Sequence, residues 1–281
     1  MSDEHAKQSH GHPQADNKKL QENMAKIGKK ILVLSGKGGV GKSTVAANIA
    51  IELATKGYKV GLLDVDFHGP SIPRMTGLAG QKTFGTDDEL IPLGVSENLR
   101  VMSIALLLQD DSQAIIWRGP MKYSVITKLL ADTLWGELDY LVIDAPPGTG
   151  DEPLGVAQQV GLNAGAVVVT TPQLVSIEDV RRCITFCNQV FLPIWGIVEN
   201  MSGFVCPHCD KTVNVFGRDG GIRLAEETGI DLIGKIPLDP QIVAGSDEGY
   251  SIANSSVSKP TRDAFDALVD NLLIKTGKKQ A

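Results

Sequence analysis

The run Gly36-Lys37-Gly38-Gly39-Val40-Gly41-Lys42-Ser43-Thr44 carries the densest chemistry in the chain. It has the form G-x-x-x-x-G-K-[ST]. The glycines let backbone N–H groups close around phosphate oxygens, at the positive end of the helix that the following residues predict. Lys42 is placed to reach β- and γ-phosphates, and Ser43 to offer a hydroxyl to Mg2+. The same residues also satisfy G-x-G-x-x-G with Asp64 downstream, the pattern of a dinucleotide site. Lys-Ser-Thr directly after Gly41 serves no purpose there and is required by a Mg-nucleotide site. A further apolar run ends in Asp144, within LVIDAPPG, where a second magnesium-associated carboxylate is expected.

A second candidate centre is Cys206-Pro207-His208-Cys209. Thiolates suit zinc or an iron–sulfur cluster, and a closed site needs four ligands. Cys183 and Cys187 could complete the set, or two chains could each donate one C-x-x-C. Val180, Cys183, Ile184, Cys187 and Phe191 follow an i, i+3, i+4, i+7, i+11 helical stripe, which assigns the first two cysteines to a core. Sharing across two chains is then the economical solution. Zinc held between subunits has the same ligand count, and a redox pair is the remaining alternative. His208 is read as a spacer between the thiolates.

Several elements must hold these residues. KKILVLS (29–35) is a continuous β-branched-rich run, as in a strand buried on both faces of a parallel sheet. Further strands are expected at 59–66, 98–104, 139–144, 164–170, 195–200 and 231–236, with helices at 43–56, 121–134, 176–190 and 261–274. This alternation predicts a doubly wound, mostly parallel α/β sheet in a single domain. Residues 80–92 read as an inserted loop or hairpin. Residues 1–28 read as a mobile polar tail with a short helix near its end, and His5, His10 and His12 as solvated.

The whole chain supports this picture. Its 281 residues, 42% hydrophobic and 21% charged, suffice to bury roughly 75% of the unfolded surface without covalent staples. A net charge of −6 disfavours nucleic acid, whose binding depends on basic groups. The longest apolar run, Val101 to Leu108, is interrupted by Ser103 and far shorter than the ~20 residues that span a bilayer. Four cysteines make no disulfide scaffold, so the expected compartment is the reducing cytoplasm.

Lys37, directly after the first glycine, gives GKGGVGKST a resemblance to the deviant phosphate loop of the ParA, MinD and nitrogenase iron protein class. DVDFHGPSIPRMTG (64–77), LVIDAPPGTGDEPL (141–154), VVVTTPQLVSIEDVRR (167–182), IVENMSGFVCPHC (197–209) and GKIPLDP (234–240) resemble, within that class, the Mrp family of P-loop iron–sulfur cluster carrier ATPases. The resemblance runs from about Lys30 to about Leu273. It implies a P-loop NTPase fold over residues 29–281, binding of ATP and Mg2+, and a labile [4Fe–4S] cluster bridging a homodimer through Cys206 and Cys209. It further implies that Lys37 reaches the nucleotide of the opposite subunit and that Asp66 orients the attacking water. Asp64 and Asp144 would lie near Mg2+, Asn200 would read the adenine edge and Pro237 would pack beside the base. Unlike larger relatives, the tail carries neither an extra domain nor a four-cysteine site.

The expected activity is ATP hydrolysis coupled to handing the cluster to apo iron–sulfur proteins, with neither nucleic acid nor membrane as partner. The competing reading is a spatial organiser of the ParA or MinD type. The final helix speaks against it, because Asp263, Asp266 and Asp270 oppose its apolar stripe, and Lys275, Lys278 and Lys279 make only a short basic end. Electron transfer of the nitrogenase type is disfavoured, because there the bridging cysteines lie far apart in sequence.

Overall fold

The computed structural model describes residues 13–86, 88–108, 119–206, 209, 211–249 and 257–277. In chain order the elements are α1 (Pro13–Ala25), β1 (Ile27–Ser35), α2 (Lys42–Thr55), β2 (Val60–Asp64), α3 (Ile72–Met75), β3 (Leu93–Ser96) and β4 (Leu99–Ser103). Then follow α4 (Gly119–Asp132), β5 (Leu138–Asp144), α5 (Asp151–Gln159), β6 (Ala164–Thr170), α6 (Leu174–Gln189) and β7 (Ile194–Glu199). The chain closes with β8 (Phe204–Val205), β9 (Thr212–Val213), α7 (Gly220–Thr228), β10 (Leu232–Lys235), α8 (Pro240–Glu248) and α9 (Lys259–Thr276).

Among the described residues the main sheet has eight strands in the order β10-β7-β6-β1-β5-β2-β4-β3. All neighbours are parallel except β3, which runs antiparallel to β4 at the edge. β5 and β6 flank β1, and the chain leaves toward opposite edges from there. A crevice at the carboxyl ends of the strands follows from such a reversal, and it is where doubly wound sheets bind ligands.

Side chains alternate between two cores, as the period of a strand demands. Leu32, Leu34, Leu141, Ile143, Ala166 and Val168 face one cluster, shared with α1, α4, α5, α6 and α7. Ile31, Val33, Tyr140, Val142, Val167 and Val169 face the other, shared with α2, α3 and α9. Both faces are covered, which explains why the strands read as unbroken apolar runs.

The short helix expected near the end of a mobile tail is instead docked on the domain, and the segment read as an inserted loop or hairpin folds back as a hairpin. Residues 13–25, expected within a polar tail, form a helix that docks on α4. Leu20 and Met24 are buried there, and Asn23 Nδ2 donates to the Leu130 and Thr133 carbonyls at 2.8 and 2.9 Å. The apolar residues of α1 are too few to register as periodicity, yet they sit on its buried side. Residues 1–12, with His5, His10 and His12, lie outside the described residues. The inserted segment folds back on itself, with Gly85 and Leu90 antiparallel and Leu90 bridged to Thr133. α9 buries Phe265, Leu268, Val269 and Leu272 against the sheet; Lys278 and Lys279 lie outside the described residues. No helix among the described residues is long and apolar enough to cross a membrane.

Candidate functional site

The glycine-rich loop joins the end of β1 to the start of α2, so the unpaired N–H groups of the first helical turn open onto the crevice. Gly38 and Gly39 are exposed and Val40 is buried. Gly41 adopts φ 81°, a left-handed conformation that favours glycine. A Cβ there would also stand 2.2 Å from Asn200 Nδ2. Gly36 has a different constraint. A Cβ on it would fall 2.2 Å from the Asp179 carbonyl oxygen, so only glycine lets α6 pack this close. Lys37 is half-buried, and its carbonyl accepts from Ser35 Oγ at 2.9 Å. Thr44, half-buried in the first turn of α2, accepts through its carbonyl from Asn48 Nδ2 at 2.8 Å.

Two carboxylates and a hydroxyl converge on one lysine. Lys42 Nζ lies 2.5 Å from Asp144 Oδ1, 3.8 Å from Asp66 Oδ2 and 3.4 Å from Ser43 Oγ. Asp64 and Asp144 end adjacent strands and sit directly opposite each other in the β2–β5 register. Both are fully buried, and Asp144 Oδ2 has no hydrogen-bond partner. Burial, reinforced by the Asp144 charge, pushes the Asp64 carboxyl up to about 8 against the Asp66 N–H, Lys42 and Ser103. Burial likewise raises Asp144, with Lys42 opposing. An orphan carboxylate oxygen beside a second buried carboxyl and a hydroxyl is a set of hard oxygen donors. It fits Mg2+, with Ser43, Asp64 and Asp144 as the residues that would hold it or its waters.

Asp66 is buried just beyond β2 and is fixed by its own turn. Its N–H donates to Asp64 Oδ1 at 3.1 Å, and its Oδ1 accepts from the His68 N–H at 3.1 Å. Asn200 closes the crevice from β7. Its Nδ2 donates to the Val40 carbonyl at 2.9 Å, and its N–H to the Thr170 carbonyl at 2.8 Å. Pro237 is half-buried in the neighbouring segment, where Ile236 N–H donates to Glu199 O and Ile236 O accepts from Ser202 N–H.

The cysteines divide as their periodicity suggested. Cys183 and Cys187 are buried in α6 within the core. A hydrogen bond with Cys187 and burial push the Cys183 thiol up, which disfavours a thiolate. Cys206 and Cys209 lie on the surface hairpin formed by β8 and β9, half-buried and exposed respectively. The Cys206 N–H donates to the Lys211 carbonyl, and the Cys209 N–H to the Cys206 carbonyl, so the hairpin backbone holds both on one turn. Pro207 and His208 lie outside the described residues. Among the described residues no group of three or more His, Cys, Asp or Glu is gathered for a metal ion.

Against this geometry, the family model of NUBPL iron-transfer P-loop NTPases, within the ParA group, matches residues 26–273. The chain belongs to this family. It is 46% identical over 263 residues to the iron-sulfur cluster carrier protein of Methanocaldococcus jannaschii, covering 93% of this chain and 90% of that protein. It is 49% identical over 257 residues to the cytosolic Fe-S cluster assembly factor NUBP2 homolog of Trichoplax adhaerens, covering 90% and 97%. A solved nucleotide-binding protein from Archaeoglobus fulgidus, in complex with ADP and with cobalt found in it, superposes with a TM-score of 0.73 at 43% identity. That match covers 83% of this chain and 91% of the other.

Beside these residues the structure places two that motif reading passed over. Ser103 Oγ donates to Asp64 Oδ2 at 3.0 Å from the register position beside it on β4. Its signal was its position as the single polar residue interrupting an apolar run. Glu199, fully buried at the end of β7, accepts from Ser202 Oγ and from the Gly221 N–H, each at 2.6 Å. A carboxylate ending a buried strand was its trace in the sequence.

Proposed function

We propose that this chain is an ATP-hydrolysing iron–sulfur cluster carrier, working as a homodimer in the cytoplasm. It holds a labile [4Fe–4S] cluster between subunits and passes it to apo iron–sulfur proteins. One observation carries the reading: the chain joins a nucleotide-type constellation at Lys42, Asp64, Asp66 and Asp144 to a surface pair of cysteines, its other two cysteines being buried in the core. Two surface thiolates are half of a four-ligand set, so a second copy supplies the rest. The curated relatives, named as a cluster carrier and a cytosolic cluster assembly factor, support the cargo and the compartment.

In this reading residues 36–44 cradle the phosphates through backbone N–H groups, while Asn200 and Pro237 flank the base. Lys42 then exchanges its Asp144 contact for phosphate oxygens. Asp66 orients the water that attacks the γ-phosphorus and takes up its proton, as the bond to the bridging oxygen breaks. Lys37 adds positive charge at the partner's nucleotide. Such positioning and charge neutralisation do most of the work in phosphoryl transfer. Mg2+, when bound, would neutralise charge on the β- and γ-oxygens. A spatial-organiser role loses its candidate membrane surface, because the apolar stripe of α9 is spent on the core.

Anaerobic reconstitution with iron and sulfide tests the proposal. Mössbauer and absorption spectra should report a cysteine-ligated [4Fe–4S] cluster, with one cluster per two chains by metal and mass measurement. Cys206→Ala should abolish it. A cluster retained in that variant, or zinc alone in both proteins, would overturn the assignment.

A further inference from the structure

Lys122, on the first turn of α4, has its side chain only 15% exposed, and its ammonium meets two different loops of the crevice. It donates to the Glu152 carboxylate at the start of α5, whose side chain is 16% exposed. It lies 3.2 Å from His68 Nε2 and 5.9 Å from the centre of the Phe67 ring, a cation–π distance. His68 Nε2 is in turn 3.4 Å from Glu152 Oε1. Phe67 is buried in the core that α4 shares. Phe67 and His68 directly follow Asp66, and Glu152 opens the helix reached from Asp144 through residues 145–150.

We propose that Lys122 is a positioning residue for hydrolysis, clamping the Asp66–His68 segment to the start of α5 so that Asp66 keeps its place beside Lys42. The proposal rests on the reading of Asp66 as the water-orienting carboxylate. The argument is one of reach and charge. Among the described residues Asp66 is held by two backbone N–H contacts in its own turn and by Lys42 at 3.8 Å, and the segment beyond it is exposed at His68. A cation shared by Phe67, His68 and Glu152 ties both loops to one rigid helix. Small displacements of a group that orients a nucleophile are expensive, up to about a hundredfold in rate for roughly 1 Å.

The test is steady-state ATP hydrolysis by the full chain as Lys122→Met, Lys122→Arg and the double variant Lys122→Met/Glu152→Gln, with Asp66→Asn beside them. Lys122→Met should lower kcat about tenfold with KM for ATP within about twofold, the signature of lost transition-state placement. Lys122→Arg, which keeps the charge, should stay near the parent. The double variant should regain any lost thermal stability, since no carboxylate is left unpaired, without regaining kcat. Hydrogen exchange over residues 64–71 should quicken in Lys122→Met. An unchanged kcat, a raised KM at constant kcat, an arginine variant as impaired as the methionine one, or unchanged exchange over 64–71 would overturn the clamp. Full activity in Asp66→Asn would instead remove the role of Asp66, leaving the exchange result to decide the clamp by itself.

Discussion

Asp64 faces Asp144 across two buried strand ends, and both cannot carry charge cheaply with one lysine between them. The folded state therefore keeps a proton on Asp64 up to about pH 8, whereas an unfolded aspartate releases it near 4. Between those values the folded chain binds more protons than the unfolded one. The stability contributed by the protonated form is complete below about pH 4 and is lost as pH rises through 8. Asp64→Asn removes the titration while keeping the shape. The apo variant should gain in melting temperature relative to the apo parent on going from pH 5 to 8. A constant difference between the two melting curves would show that Asp64 does not titrate in this window.

Helices differ in how plainly they announce themselves. α2, α4, α6 and α9 have apolar stripes and were legible; α5 and α7 were not, for identifiable reasons. α5 follows APPGTG, which reads as loop, and its evidence is the acidic first turn, Asp151 and Glu152, favoured by the helix dipole. α7 opens with Gly220-Gly221, poor helix formers, and its N-terminus is held by Glu199 across 22 residues. That contact is tertiary, beyond the reach of local pattern. For α1 the short helix was expected, but its docking on α4 through Leu20, Met24 and Asn23 was not. Asn23→Ala should therefore leave the Leu130 and Thr133 carbonyls without their side-chain donor and cost about 2 kcal/mol, read as a lower denaturant midpoint. An unchanged midpoint would mean that α1 adds nothing to the stability of the domain.

Across the whole molecule, the phosphate loop and the cysteine hairpin were both legible because each is a contiguous motif. Their relation was not, since it depends on the β7 end. There Asn200 bonds to Val40 in the loop, and the next residues lead to Cys206. Stoichiometry remains the sharpest property of this arrangement. If the cargo needs one cysteine pair from each of two chains, a subunit lacking both cysteines spoils every dimer that it enters. Co-expressing the parent with an equal amount of a Cys206→Ala/Cys209→Ala chain should then leave about a quarter of the dimers able to load, by random pairing of identical interfaces. A site complete within one chain would load about half of all subunits instead. Iron per chain after anaerobic reconstitution, compared with the undiluted parent, separates the two outcomes. A linear fall with dilution would overturn the shared site, whereas a fall with the square of the parent fraction is what two cysteines per chain require.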